Sequence, residues 1–139
     1  MGAIYADIEL INGEDMVLSR RHYIGEEEIR RMPVSIRVDT GADMLCINES
    51  IQEQLQFPIV EKRKAQLADG GFLECDVVTY VELRFKNRRT ICNAMILPKD
   101  AEPLLGYIPL GDMDVLIHPL KQELIVNPDH PYFAQMKIK

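Results

Sequence analysis

Short stretches in which apolar and polar residues alternate recur along the chain, each closed by turn-forming residues, and this period of two predicts strands. The first, AIYADIELI, stops at Asn12-Gly13. That dipeptide tolerates positive φ, which predicts a hairpin with MVLSRRHYI returning beside it. GEEEIRRM fits either a helical turn or a wide charged loop. PVSIRV is rich in β-formers and delivers the chain to Asp39, where Gly41 allows a tight turn. The pattern then changes period. Asn48 can cap a short helix over ESIQEQLQF, with Ile51 and Leu55 on one face and Pro58 closing it.

The period of two returns in KRKAQLA, FLECDVVTYVELRF and RRTICNAMIL, separated by turns at Asp69-Gly70-Gly71 and near Lys86-Asn87. This reads as a meander of long hairpins. In EPLLGYIPLGDMDVLIHPLKQELIVNP, a glycine follows two leucines, Pro109 can open a short helix, and two short strands flank Pro119 to Gln122. The tail DHPYFAQMKIK leaves Tyr132, Phe133 and Met136 without an assigned partner, to dock on the domain or on a second subunit. The fold expected is all-β with one or two short helices.

Composition narrows the function classes. A chain of 139 residues, 47% hydrophobic, can bury one core, which predicts a single domain over 1–139. Acidic residues outnumber basic ones 22 to 16 for a net charge of -6, and the basic pairs are interleaved with Glu, which argues against nucleic acid as partner. Asp7 and Glu9 interrupt any apolar leader and no later run has membrane-spanning length, so no membrane association and a cytoplasmic location are expected. Ala6 stands where a myristoylation signal needs Ser or Thr. Cys46, Cys75 and Cys92 are odd in number and lack paired spacing, which fits reduced core thiols rather than a zinc knuckle. No metal or other cofactor is expected.

Three features stand in order: Asp39-Thr40-Gly41 after an apolar strand, a glycine-bearing hairpin tip about Asp69-Gly70-Gly71, and Leu104-Leu105-Gly106. With their flanks, VDTGAD, ADGGF and AMILPKDAEPLLG, they resemble the retropepsin-like aspartic proteases, and the bacterial single-domain relatives more than the viral enzymes. The plainer reading is that Asp39 only bonds its own turn beside ordinary glycines. It leaves the order and the flanking residues unexplained.

The resemblance implies a closed acid-protease β-barrel, peptide substrates and a twofold homodimer. Metal-free peptide hydrolysis needs one carboxylate to take a proton from water and one carboxyl to polarise the carbonyl. The chain has a single Asp-Thr-Gly, so the second Asp39 would come from another copy at the twofold axis. By the same resemblance Thr40 would support the turn through its hydroxyl and Gly41 would admit backbone amides to the carboxylates. Ala42, Asp43, Leu105 and Gly106 would meet substrate, and Asp69, Gly70 and Gly71 would form a flap over it. Phe72 fits either a place beneath the flap or a plain core role. A Ser at position 42 could lower the carboxyl pKa and Ala cannot, so the activity optimum is expected nearer neutrality than for enzymes with Asp-Thr-Gly-Ser, and not below pH ~3.

Two departures from the viral pattern matter. Tyr107 replaces the Arg that usually follows the glycine, so Asp43 loses its expected ion-pair partner. Residues 1–32, read as an N-terminal hairpin extension, and 127–139, a C-terminal tail, exceed the minimal viral enzyme, so its terminal dimer sheet is expected to be replaced. A dimeric module of the same fold that binds peptide or a partner without cutting is the alternative. A metal-binding module built on the cysteines is a third.

Overall fold

The structure is a computed structural model and describes residues 2–138. Its strands, in chain order, are β1 (Tyr5–Asn12), β2 (Arg31–Val38), β3 (Leu45–Asn48), β4 (Ile59–Gln66), β5 (Phe72–Phe85), β6 (Arg88–Leu97), β7 (Leu104–Leu105), β8 (Val115–His118) and β9 (Glu123–Val126). The helices are α1 (Gly13–Arg20), α2 (Glu49–Leu55) and α3 (Tyr107–Met113), with a 3-10 turn over Glu26–Glu28. Three helices form where one or two were expected.

The main sheet runs β1-β2-β7-β3-β6-β5-β4, and β1 also pairs with β5 through Glu9–Asn12 and Val81–Arg84. That pairing closes six strands into a barrel and leaves β4 outside the ring, bonded only to β5. Alternation does the sorting. Ala6, Ile8 and Leu10 on β1 and Ile36 and Val38 on β2 point inward, where they meet Leu45, Ile47, Val81, Leu83 and Leu105. Removing this apolar surface from water is the main force holding the ring closed.

The N-terminal hairpin expected at Asn12-Gly13 does not form. Asn12 instead caps α1, its side-chain oxygen accepting from Asp15 N at 3.1 Å while its amide donates to Leu55 O at 2.7 Å. Glu14 and Asp15 in the first turn and Arg20 in the last suit the helix dipole. Gly13 serves close packing: a Cβ there would stand 2.5 Å from Tyr80 O. Asp15 is buried and receives Arg30 Nε at 2.8 Å and Nη2 at 2.9 Å, which ties the helix back to the start of β2. Far from being an appended hairpin, residues 5–12 supply the strand that closes the barrel.

The expected α2 forms, with Asn48 Oδ1 accepting from Ile51 N at 2.9 Å, and Ile51 and Leu55 are buried. The β4–β5–β6 meander also forms. After α3, β8 and β9 make a separate two-stranded sheet, and His118 Nδ1 accepts from Leu120 N and Lys121 N in its turn, a structural role. The tail is held on its own subunit. Asp114 accepts from Asn127 Nδ2, Gln135 N and the His130 ring, and buried Arg88 donates to His130 O. Tyr132, Phe133 and Met136 remain exposed.

Candidate functional site

The Asp39 turn is built by a strand inserted between its two arms. β7 lies between β2 and β3, parallel to β2 and antiparallel to β3, so the loop from Asp39 to Met44 spans the end of β7. Arg37 N donates to Pro103 O at 3.3 Å and Asp39 N to Leu105 O at 3.0 Å. Because both residues donate to the same ladder two positions apart, their side chains share one face of the sheet. Val38 between them points into the core.

The loop is fastened from its other side by α3. The first amides of a helix have no partner within it. Here Tyr107 N donates to Ala42 O and Ile108 N to Asp43 O, both at 3.0 Å. Gly106, between β7 and α3, is required by contact: a Cβ would collide with Met44 O and lie 2.8 Å from Ala42 O. Within the turn Gly41 N donates to Asp39 Oδ1 at 2.9 Å, and Ala42 N to Asp39 O at 3.1 Å. Asp39 itself is half-buried, whereas Thr40 and Gly41 are exposed.

Beside Asp39 lies a small apolar cluster separate from the main core. Cys46, Cys75 and Met95 are its buried members, with Met44, Ala65, Leu73, Leu97 and Leu104 packed against them. Leu104 is the Cα partner of both Arg37 and Cys46, which places this cluster on the Asp39 face. Burial, then the neighbouring Cys75 and Asp39, push the Cys46 thiol up to about 11, so it is a neutral, packed side chain near the turn. The three cysteines are free, and no group of three or more potential metal ligands occurs among the described residues.

Sequence-expected residues fall into two sets. Asp39, Thr40, Gly41, Ala42 and Asp43 form one contiguous loop. Asp69, Gly70 and Gly71 are the exposed tip of the β4–β5 hairpin, where Gly71 N donates to Asp69 Oδ1 at 2.8 Å and Gly70 has φ +89°. Leu105 does not line the site: its side chain is fully buried in the barrel core, because the ladder turns Leu104 toward the Asp39 face and Leu105 away. Phe72 is 64% exposed and packs under nothing. Among the described residues the Thr40 hydroxyl has no hydrogen bond, so the bond expected of it to the turn is not seen, and Asp43, left without its Arg partner by Tyr107, is exposed and has no ion pair.

Sequence reasoning placed the thiols in the core, as Cys46 and Cys75 are, but did not set them, Met95 or Leu104 beside Asp39. Alternation from Asp39 would have found Leu104 only with the β2–β7 register in hand. A groove of about 390 Å³ lined by Met44, Arg63, Ile91 and Ile108 opens on one flank, but Asp39 is not part of its wall. The Asp39 face is open.

A family model described as aspartyl protease matches residues 26–108, more than half of the chain. The chain belongs to the aspartyl protease family. The matched span takes in the Asp39 loop, the β4–β5 hairpin, and the β7 segment that fastens the loop. It is the retropepsin-like type, in keeping with the closed barrel. No curated protein matches the sequence. Family membership supports proteolysis as the general activity. No helix is long and apolar enough to cross a membrane among the described residues.

Proposed function

We propose that the protein is a homodimeric aspartic endopeptidase whose water is activated between Asp39 of one copy and Asp39 of a second. The observation that carries this reading is the placement of Asp39: a half-buried carboxyl on an open sheet face, in a loop fixed by β7 and α3. One copy offers one such carboxyl. A pair on a twofold axis shares a proton because two adjacent carboxylates resist joint ionisation. One Asp39 then takes a proton from water while the protonated partner donates a hydrogen bond to the scissile carbonyl oxygen, readying it for attack. Aspartic proteases are the standard illustration of this shared proton.

In this scheme Gly41 N orients the carboxylate through its bond to Oδ1. Ala42 and Asp43 flank the bound peptide, Thr40 faces the second copy, and the Asp69–Gly71 tip closes over the substrate and limits water. Gly106 acts through the loop it packs against, and Leu105 through the Asp39 amide it receives. The three free thiols suit a reducing compartment such as the cytoplasm.

The test is cleavage of a peptide library by the purified protein beside Asp39→Ala, with mass measured by sedimentation. Cleavage that requires Asp39 and rises with the dimer fraction is expected. Cleavage surviving the substitution, or carried out by a monomer, would overturn the mechanism. A stable dimer that binds peptides without cutting them would move the protein to the non-catalytic binding reading.

A further inference from the structure

A side-chain network that bond hydrolysis does not require lies beside Asp39. Arg37 shares the Asp39 face by the ladder argument, and its Cα partner is Leu104. Glu102 sits two positions before Leu104 on the same segment. Its Oε2 accepts from Tyr5 OH at 2.5 Å, and its Oε1 accepts from Arg37 Nη1 at 3.4 Å. The Tyr5 bond, ahead of the Arg37 contact, lowers the Glu102 pKa and keeps this carboxylate ionised.

The two charges are not equally satisfied. Glu102 is held on both oxygens. Arg37 has one long contact through Nη1, and its Nε and Nη2 have no partner among the described residues. An exposed pair of this kind contributes little to stability. The Arg37 side chain is 46% exposed and that of Glu102 43%, so both are accessible to a ligand. A planar guanidinium with open donors is suited to grip a carboxylate through two parallel hydrogen bonds. The unfilled capacity of this wall is therefore cationic, whereas the Leu104–Cys46–Met95 side takes apolar groups.

We propose that Arg37, steered by Glu102 and Tyr5, forms a subsite for an acidic side chain of the bound peptide, so that Asp or Glu near the cleaved bond is preferred. This rests on the reading of Asp39 as the hydrolytic centre. Arg37 touches substrate in this account, whereas Glu102 and Tyr5 are positioning residues.

The test uses peptides in which a single Glu or Gln is moved through the positions flanking the cleaved bond. The measured quantity is the Glu-to-Gln ratio of kcat/KM. A ratio of roughly tenfold at one position is expected for the unaltered protein. Arg37→Met, which keeps the apolar stem, should bring the ratio near one. Glu102→Gln removes the competing charge and should raise it, an opposite response that a structural role would not produce. Circular dichroism checks that both variants fold.

The same peptide pairs are titrated by fluorescence anisotropy against Asp39→Asn protein, with and without Arg37→Met. Equal handling of Glu and Gln, or a preference that survives Arg37→Met, overturns the subsite even if cleavage depends on Asp39. An Arg37-dependent Glu preference in binding, with no cleavage by the Asp39-bearing protein, supports the subsite and overturns the hydrolytic reading. Absence of both binding and cleavage overturns both.

Discussion

The turns at Asp39 and Asp69 are the same local device in two different settings. Each places an aspartate two residues before a glycine whose amide returns to Oδ1, at 2.9 Å in the first and 2.8 Å in the second. Each leaves its glycine exposed. The Asp39 turn hangs from a parallel ladder, is gripped by two amides of α3, and adjoins a buried cluster. The Asp69 turn ends a ribbon whose β4 strand is exposed along nearly its whole length. Beyond that bond, its tip is closed by Leu67 N to Gly71 O and Gly70 N to Leu67 O. The local bond is therefore shared, and only the surroundings differ, rigid at Asp39 and yielding at Asp69. On the proposed reading these suit a fixed carboxyl and a lid.

The contrast is tested most strongly by paired amide substitutions. Asn can keep either local bond through its side-chain oxygen, so any loss reports lost acid–base chemistry rather than a lost turn. Asp39→Asn should lower kcat by about 10²–10⁴-fold. Asp69→Asn should act on KM instead, as expected of a lid. Equal losses of kcat, measured by steady-state peptide hydrolysis, would break the distinction.

A smaller effect is expected in stability. Gly106→Ala drives a methyl into the Met44 carbonyl and should cost about 1–3 kcal/mol in urea denaturation. Gly70→Ala meets no atom within 4 Å and only suffers its positive φ, which should cost about 1 kcal/mol. A reversed order would show that the loop, not the ribbon, is the compliant element.

The last prediction asks whether acid lability belongs to either turn. The Gln135 amide first, then Asn127 and His130, hold the Asp114 carboxyl at about 2, below its usual 3.8. A depressed folded-state pKa stabilises above the unfolded value and loses that contribution as pH falls through the folded one. Melting temperature should thus fall between about pH 4 and pH 2, and Asp114→Asn should flatten this limb. The same limb persisting in the variant would assign it elsewhere.

Much of the barrel was legible because alternation and caps act locally. Asn48 and the strand-turn-strand runs from Lys62 to Leu97 needed no knowledge of distant neighbours. Asn12-Gly13 misled because the same two residues serve a hairpin or a helix start, and Leu55 O and Tyr80 O, both remote in sequence, decide between them. At the site, the motif located Asp39, but which leucine faces it depends on the β2–β7 register. Short parallel pairings of this kind leave no periodic signature. The Tyr5–Glu102 bond joins residues 97 positions apart and was equally hidden.

The position of β4 outside the ring has a consequence for how such a protein can diversify. β5 meets the barrel strands β1 or β6 at Val77, Val78 and Val81 to Phe85, and pairs with β4 alone from Phe72 to Asp76. The irregularity at Thr79 and Tyr80, with Tyr80 at φ 57°, lies within the barrel part. Residues added in pairs at the Leu67–Gly71 tip would lengthen the ribbon by about 3.3 Å per residue in each strand. The barrel register, set from Val77 onward, would stay unchanged. The reach of the hairpin tip is thus open to variation by insertion, independently of the fold that holds Asp39.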